Sequence, residues 1–464
     1  MAQVIAGYGF APDEVGFILT DPQSGDVLAA RSPDRLFLPA SVTKLATSFA
    51  AEAILGPDHR FTTRLLARGS DLYLQGGGDP VLTAEDLQHL ATALTAAAPA
   101  PIAHFYYDES LLPALPEISD RQPVAAVYNA GLSALVVDFN RIAIDWSPDR
   151  AGGLAFQSHS VADNLTVPTG WVGFAPAPAA LPPGAPFVFA GDGAADRWQW
   201  SRRLPASGYS FLPVKDSGRH AALMFREIAR LAGLRLPLPE PGVTPADAVL
   251  VARTDSRPLA AIVAGLLRYS NNLSAELVGL AATRQLTGAQ PPTLAAAAAA
   301  LAAWLEARLP ATDWRGFHLA NCSGLSTANR VSPRQMTDLL AAIDRDPPLA
   351  VALPSIFDEG FGPAPAADPS GQPVQPILGQ PILGQPILGK SGTMDYASGM
   401  VGFLPTKNGR RLAFAVFIFD ATRRAALDAV MDPRILEPTP AARDWTRRAR
   451  ALDMALLHRW QALF

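Results

Sequence analysis

The chain has 464 residues, of which 49% are hydrophobic and 17% charged, so it can bury large cores and is not expected to be disordered. Its length favours two to four domains. A net charge of −4 and a pI near 6.0 argue against nucleic acid as a partner.

Further sequence features narrow the class of protein. A single cysteine, Cys322, excludes an internal disulfide framework. The longest apolar run, 294–305, is shorter than the roughly 20 residues of a membrane span and predicts a packed helix instead. The first residues lack a basic segment and a long apolar segment, so we expect no signal peptide in this sequence. The histidines lack metal-binding spacing, and neither a metal nor a cofactor is expected.

The N-terminal region predicts a hairpin followed by a helix. Strand-like segments occur at 15–20 and 27–30, around a turn rich in Asp, Pro and Gly. Helical spacing begins after residues 39–40 and stops at the Gly-Pro pair 56–57. Ser41 is therefore predicted in the first turn of a buried helix, with Lys44 one turn further on the same side.

The middle of the chain has a different character. Residues 62–248 are rich in Pro and Gly and mostly strand-like. Helical periodicity returns at 258–269 and 273–286, and the segment Ser270-Asn271-Asn272 lies on the short connection between these helices. The stretch 62–248 is therefore predicted to be an insertion.

The C-terminal region predicts a second hairpin. Strands at 400–404 and 412–419 flank an Asn-Gly turn, and helices follow at 421–431 and 441–460. The hairpins at the two ends of the chain have matching strand character, which favours one shared antiparallel sheet packed by helices.

Three tandem Gln-Pro-Ile-Leu-Gly units begin at Gln375, Gln380 and Gln385 and run directly into Lys390. A five-residue period does not match the two-residue alternation of a strand. The array is therefore predicted to be a duplicated linker whose last copy leads into a strand.

The distribution of lysine singles out two short motifs. The chain has 38 Lys and Arg residues, but only four are lysines. Two of these lie in serine-containing motifs, Ser41-Val42-Thr43-Lys44 and Lys390-Ser391-Gly392-Thr393. Arginine does not release its proton at working pH, whereas a buried lysine can. We therefore expect both amines to take part in chemistry.

The first motif fits an activated serine. A serine hydroxyl is a weak nucleophile until a neighbouring base removes its proton. Residues three apart on a helix have Cβ atoms about 5–6 Å apart, so Lys44 can reach the Ser41 hydroxyl. To act as a base Lys44 must be uncharged, a state that burial and a nearby cation such as Lys390 favour. This motif alone is weak evidence, because an exposed lysine beside a capping serine has the same spacing.

The order of three motifs is more specific. Ser41-x-x-Lys44, Ser270-x-Asn272 and Lys390-Ser391-Gly392-Thr393 follow the signature of penicillin-recognising serine enzymes. With its flanking segments, the chain resembles the penicillin-binding-protein-4-type D-alanyl-D-alanine carboxypeptidases, the peptidase S13 or class C low-molecular-mass group. Those segments are 37–45, 55–57, 77–80, 212–214, 258–259, 270–276 and 323–326.

The resemblance implies an α/β (α+β) fold in which helices pack an antiparallel sheet, as in the transpeptidase domain of serine β-lactamases and DD-peptidases. It also implies two inserted, mainly β domains. The catalytic domain would comprise 1–61 and 249–464. Inserted domain II would comprise 62–95 and 166–248, with domain III, 96–165, nested inside it.

The resemblance also implies three catalytic residues. Ser41 would attack the carbonyl of a terminal D-Ala-D-Ala bond and form an acyl-enzyme, which water then hydrolyses. Lys44 would be the base for acylation, and Ser270 would relay the proton to the leaving amine. The backbone N–H groups of Ser41 and Thr393 would form the oxyanion hole.

Five residues are implied in substrate binding. Asn272 would hold the substrate amide, and Lys390 would add positive potential. The hydroxyls of Ser391 and Thr393 would bind the terminal carboxylate, and Ser323 would line the cleft.

The chain departs from the family pattern at three places. Ser391 replaces a threonine but keeps the hydroxyl. Thr327 stands where the family has an arginine, which leaves open how an acidic group of the substrate is recognised. The repeats replace the usual Gly-Thr-Leu stretch before Lys390.

Three functions remain open from the sequence. The leading one is a serine D-Ala-D-Ala carboxypeptidase, with or without endopeptidase activity. The others are a β-lactamase or esterase on the same scaffold, and a catalytically weak peptidoglycan-binding protein. The expected partners are peptidoglycan stem peptides ending in D-Ala-D-Ala and β-lactam inhibitors, with no nucleic acid and no transmembrane segment. Such substrates imply a periplasmic or extracytoplasmic location.

Overall fold

The computed structural model describes residues 2–97, 101–150, 153–162, 164–191, 196–345, 349, 352–356, 387–407 and 409–464. Its strands are β1 (Val15–Thr20), β2 (Val27–Arg31), β3 (Thr62–Arg68), β4 (Asp71–Gln75), β5 (His104–Asp108), β6 (Arg141–Pro148), β7 (Leu154–His159), β8 (Gly173–Pro176), β9 (Phe187–Phe189), β10 (Arg197–Trp200), β11 (Gly208–Pro213), β12 (Pro239–Pro241), β13 (Val249–Asp255), β14 (Leu388–Met394), β15 (Ala397–Pro405) and β16 (Arg411–Phe419).

Its helices are α1 (Ala2–Gly7), α2 (Thr43–Leu55), α3 (Ala84–Ala96), α4 (Ser217–Leu231), α5 (Leu259–Tyr269), α6 (Asn272–Thr287), α7 (Leu294–Arg308), α8 (Pro333–Asp344), α9 (Ala421–Val430) and α10 (Pro440–Leu463). Three short 3-10 turns are η1 (Ala40–Val42), η2 (Val127–Asn129) and η3 (Asp138–Asn140).

A five-stranded antiparallel sheet joins the two ends of the chain. Its strand order is β14-β15-β16-β1-β2, and β1 pairs with β16 from Val15 opposite Ile418 to Thr20 opposite Ala413. This pairing confirms the shared sheet predicted from the two terminal hairpins.

Both faces of this sheet are covered, which explains the nearly unbroken apolar sequence of β16. Ala415 and Phe417 pack on one side in a core shared with α2, α5 and α8. Val416 alternates to the other side and packs against α10, in a core that contains Trp445 and Trp460. A strand buried on both faces needs no polar alternation. The sheet is therefore the rigid layer against which α2 is held.

The segment between β2 and α5 builds three further sheets. One has five strands in the order β12-β5-β4-β3-β13, and its core includes buried residues of α3 and α4. The other two have three strands each, in the orders β8-β10-β9 and β11-β6-β7. The two helices were not predicted in this mostly strand-like stretch.

The predicted domain boundaries can be compared with the strand pairing. β13, residues 249–255, pairs with β3 of the predicted insertion, and β5, residues 104–108, pairs with β4. We propose that the insertion runs to about residue 255 and that its first sheet includes β5. The division into three domains stays a prediction.

Other segments can be compared with the sequence. The helices at 258–269 and 273–286 are confirmed as α5 and α6, and the run 294–305 lies within α7. The last Gln-Pro-Ile-Leu-Gly unit leads into β14, while the first two units lie outside the described residues. Within the described part of the chain, no helix is long and apolar enough to cross a membrane.

A buried carboxylate on α10 makes the stability of the fold depend on pH. Asp453 is fully buried and accepts a 2.8 Å hydrogen bond from the Ser398 hydroxyl of β15. Burial raises the pKa of Asp453 to about 7 from an ordinary 3.8. The unfolded chain releases this proton above about pH 4, whereas the folded chain keeps it until about pH 7. The protein therefore loses stability as the pH rises through this window.

We expect Asp453→Asn to raise the melting temperature by about 2–4 °C at pH 8 and by less at pH 5. Asparagine keeps an acceptor for Ser398 but carries no charge. Thermal unfolding at the two pH values measures the difference. Asp26→Asn is a matched control, because the Asp26 carboxylate also accepts from a serine, Ser24, but is exposed to solvent. An equal effect of Asp453→Asn at both pH values would contradict the prediction.

Candidate active site

Ser41 lies in the 3-10 turn η1 directly before α2. The sequence predicted it in the first turn of the α-helix, but α2 begins only at Thr43, and the tighter turn precedes it. Ala40, just before it, has a left-handed φ of 47°. Non-glycine residues rarely hold this conformation, and such strain is common at active sites. The turn places the Ser41 hydroxyl at the N-terminus of α2, where the helix dipole favours developing negative charge.

The amine of Lys44 contacts Ser41 and two other acceptors. Lys44 is fully buried, and its Nζ lies 2.8 Å from Ser41 Oγ. Nζ also lies 2.7 Å from Asn272 Oδ1 and 2.7 Å from the carbonyl oxygen of Ser323. A neutral amine has two N–H groups and one lone pair. When the amide and carbonyl oxygens accept the two N–H groups, the lone pair faces the Ser41 hydroxyl.

Asn272 connects α6 to both Lys44 and the insertion. It is the first residue of α6, and its Nδ2 donates a 3.0 Å hydrogen bond to the backbone carbonyl of Tyr128 in η2. Both ends of its amide are thus held, which fixes Oδ1 towards Lys44. Ser270 lies two residues earlier, at the end of α5, with a left-handed φ of 54°. Both residues of the second motif therefore lie at the junction of α5 and α6.

A tight turn at 321–325 supplies the third acceptor. The Ser323 side chain is fully buried, and its hydroxyl accepts hydrogen bonds from the Asn321 side chain and the Leu325 N–H. Gly324 has a φ of 82°, and a Cβ there would lie 1.9 Å from the Ala40 carbonyl oxygen. The turn therefore packs directly on the backbone beside Ser41. A direct contact between Ser323 and substrate stays a prediction, since its visible contact with the site is through its carbonyl.

The third motif lies on the edge strand β14, against η1. A Cβ on Gly392 would lie 2.8 Å from the backbone nitrogen of Ser41 and 2.4 Å from the carbonyl oxygen of Pro39. Only glycine permits this approach. Ser391 and Thr393 flank the contact on either side, and Lys390 is fully buried beside it.

Two further ionisable groups lie under the site. Burial raises the pKa of Glu276, although hydrogen bonds from Ser323 and Cys322 act in the opposite direction. Burial also raises the pKa of Cys322, which keeps this thiol protonated and therefore unreactive. Among the described residues, no group of His, Cys, Asp and Glu is arranged to hold a metal ion.

The three sequence motifs thus converge around Ser41. Lys44 Nζ lies within 2.8 Å of Ser41 Oγ, Asn272 Oδ1 and the Ser323 carbonyl oxygen. The third motif reaches the same point because the backbone at Gly392 packs against the backbone at Ser41. Sequence reasoning missed two contributors, the Tyr128 carbonyl and the Glu276 carboxylate. The first has no sequence signal, since any residue has a carbonyl. The second lies in the segment 270–276, which the sequence singled out only as part of the family resemblance.

Comparisons with known proteins found a matching family model and similar proteins. The model of the D-Ala-D-Ala carboxypeptidase 3 (S13) family matches residues 2–169 and 240–435. A D-alanyl-D-alanine carboxypeptidase of Actinomadura sp. (strain R39) is 28% identical over 432 residues, covering 86% of this chain and 77% of its own length.

Two solved structures share the fold. The crystal structure of penicillin binding protein 4 from Haemophilus influenzae superposes with a TM-score of 0.71 at 19% identity, covering 96% of both chains. The same protein in complex with a β-lactam gives a TM-score of 0.69 at 18% identity, covering 98% of this chain and 99% of the other.

Proposed function

This chain belongs to the D-Ala-D-Ala carboxypeptidase 3 (S13) family of serine peptidases, and we propose that it cleaves peptidoglycan stem peptides ending in D-Ala-D-Ala through an acyl-enzyme on Ser41. One observation carries the proposal. Lys44 Nζ lies 2.8 Å from Ser41 Oγ in a fully buried position, and it also lies 2.7 Å from both Asn272 Oδ1 and the Ser323 carbonyl oxygen.

In acylation, Ser41 Oγ attacks the carbonyl carbon of the penultimate D-Ala, and its proton passes to the Lys44 amine. The oxyanion of the tetrahedral intermediate accepts hydrogen bonds from the backbone N–H groups of Ser41 and Thr393. Collapse breaks the C–N bond, and the leaving D-Ala amine receives a proton from Lys44 through the Ser270 hydroxyl. Water then attacks the ester, restoring the Ser41 hydroxyl and releasing the shortened peptide.

Substrate binding uses the remaining motif residues. Asn272 donates one Nδ2 hydrogen to Tyr128, and its second Nδ2 hydrogen suits a substrate amide carbonyl. The hydroxyls of Ser391 and Thr393 on β14 would hold the terminal carboxylate, with the charge of Lys390 behind them. A β-lactam would acylate Ser41 in the same way, but its leaving amine stays attached. We propose a periplasmic or extracytoplasmic location, because this is where stem peptides occur.

The test is release of D-Ala from a synthetic stem peptide. We expect the protein to release free D-Ala from a peptide ending in D-Ala-D-Ala and none from the same peptide ending in D-Ala-L-Ala, with mass spectrometry measuring both products. A cross-linked dimeric peptide, assayed alongside, reports endopeptidase activity.

Two results would contradict the proposal. Rapid turnover of a fluorescent penicillin without D-Ala release would instead indicate a β-lactamase. The absence of both penicillin labelling and D-Ala release would indicate a protein that only binds peptidoglycan.

A further inference from the structure

A fully buried carboxylate lies on the helix that carries the second motif. Glu276 is four residues after Asn272 on α6, so the two side chains share one face of the helix. Glu276 Oε1 accepts a 2.8 Å hydrogen bond from the Ser323 N–H, and Oε2 accepts a 3.1 Å hydrogen bond from the Cys322 N–H. A carboxylate is costly to bury, and two backbone N–H groups offset part of that cost.

The groups that Glu276 holds belong to the turn that contacts Lys44. The carbonyl of Ser323 accepts from Lys44 Nζ at 2.7 Å, and it lies one and two peptide units from the N–H groups of Ser323 and Cys322 that Glu276 binds. On the other side of the turn, the Thr47 hydroxyl of α2 donates a 2.6 Å hydrogen bond to the Cys322 carbonyl. With Gly324 packed on Ala40, the turn is held from three directions and has little freedom to shift.

We propose that Glu276 is a positioning residue for acylation, which acts by holding the 321–325 turn so that the Ser323 carbonyl keeps the Lys44 amine directed at Ser41. This inference rests on the proposed function. Helix α6 would then hold the Lys44 amine in two ways. Asn272 contacts the amine directly, and Glu276 acts on it through the 321–325 turn. The arrangement also explains why a carboxylate occupies a core position. Only an acidic side chain presents two acceptor oxygens to two adjacent N–H groups, whereas a glutamine amide presents one and sets an NH₂ group against the other.

Glu276→Gln tests the inference with almost no change of shape. We expect the limiting rate constant for acylation by a fluorescent penicillin to fall about 10–100-fold, because a displacement of about 1 Å at a reacting group costs about 10²-fold. The penicillin concentration for half-maximal rate should stay within about twofold, since the residues proposed to contact the ligand are unchanged. Glu276→Asp, which keeps both acceptor oxygens, should recover part of the lost rate.

The matched control is Asp138→Asn. Asp138 is also a buried carboxylate that accepts from a backbone N–H, that of Ala84 at 3.1 Å, but it lies in the insertion. We expect this variant to acylate at the wild-type rate even if its melting temperature falls as much as that of Glu276→Gln.

Three outcomes would overturn the inference. They are a wild-type rate in Glu276→Gln, an equal loss of rate in Asp138→Asn, or an effect of Glu276→Gln confined to the penicillin concentration for half-maximal rate.

Should Glu276→Gln fail to fold, Thr47→Val loosens the same turn from the other side and should slow acylation in the same way. A wild-type rate in that variant would overturn the inference. Failure of the wild-type protein to label would refute the proposed function rather than the role of Glu276.

Discussion

Replacement of Ser41 by alanine is expected to abolish covalent labelling by a fluorescent penicillin and to lower D-Ala release by about 10⁶-fold, as loss of the nucleophile does in serine peptidases. The Ser41 hydroxyl is the proposed nucleophile, and it lies 2.8 Å from the buried amine of Lys44. Gel fluorescence and intact-protein mass measure the labelling, and a D-Ala assay on the same preparation measures the peptidase activity.

The matched control is Ser48→Ala on α2, the helix that follows Ser41. Ser48 is fully buried in α2, and its hydroxyl has no hydrogen-bond partner among the described residues. This substitution also removes a serine hydroxyl close to Ser41 in the chain and should leave labelling and peptidase activity within about twofold of wild type. Labelling that persists in Ser41→Ala at wild-type speed would mean that another nucleophile reacts, and the proposed mechanism would then be wrong.

The sequence predicted the architecture best where its patterns are local and repeated. The strand at 15–20 and the helices α5 and α6 follow directly from hydrophobic periodicity and from Gly, Pro and Asn at their ends. The 3-10 turn η1 was missed, because residue spacing does not separate an i to i+3 hydrogen bond from an i to i+4 bond over three residues. The helices α3 and α4 were hidden by a region whose average composition is rich in Pro and Gly.

The candidate site was predicted through its motifs, but its geometry depends on contacts distant in sequence. The spacing of Ser41 and Lys44 indicates that the two side chains can meet. The Asn272 amide turns its oxygen towards Lys44 because its nitrogen donates to the carbonyl of Tyr128, which is 144 residues away in the sequence. No local pattern indicates this orientation. Glu276 likewise acts on backbone groups 46 and 47 residues away. Backbone carbonyls and N–H groups carry no residue signature, so such contacts become visible only in the folded chain.

Replacement of Lys44 by methionine should lower the rate constant for acylation by about 10²–10⁴-fold, the usual contribution of a general base. Methionine has a similar length and suits a fully buried position, so the protein should fold. The substitution removes the amine from Ser41 Oγ, Asn272 Oδ1 and the Ser323 carbonyl together. Stopped-flow labelling with a fluorescent penicillin measures the rate. The control is Lys407→Met, which removes a lysine from an exposed position.

Lys44→Arg separates a base from a simple positive charge. Arginine can donate to the same oxygens and keeps the charge beside Ser41, but it does not give up its proton to become a base. If Lys44 removes the Ser41 proton, Lys44→Arg should be as slow as Lys44→Met. If the amine contributed only positive potential, the arginine variant would recover much of the rate and the methionine variant would not. Recovery in Lys44→Arg would therefore contradict the assignment of Lys44 as the base, while leaving Ser41 as the nucleophile.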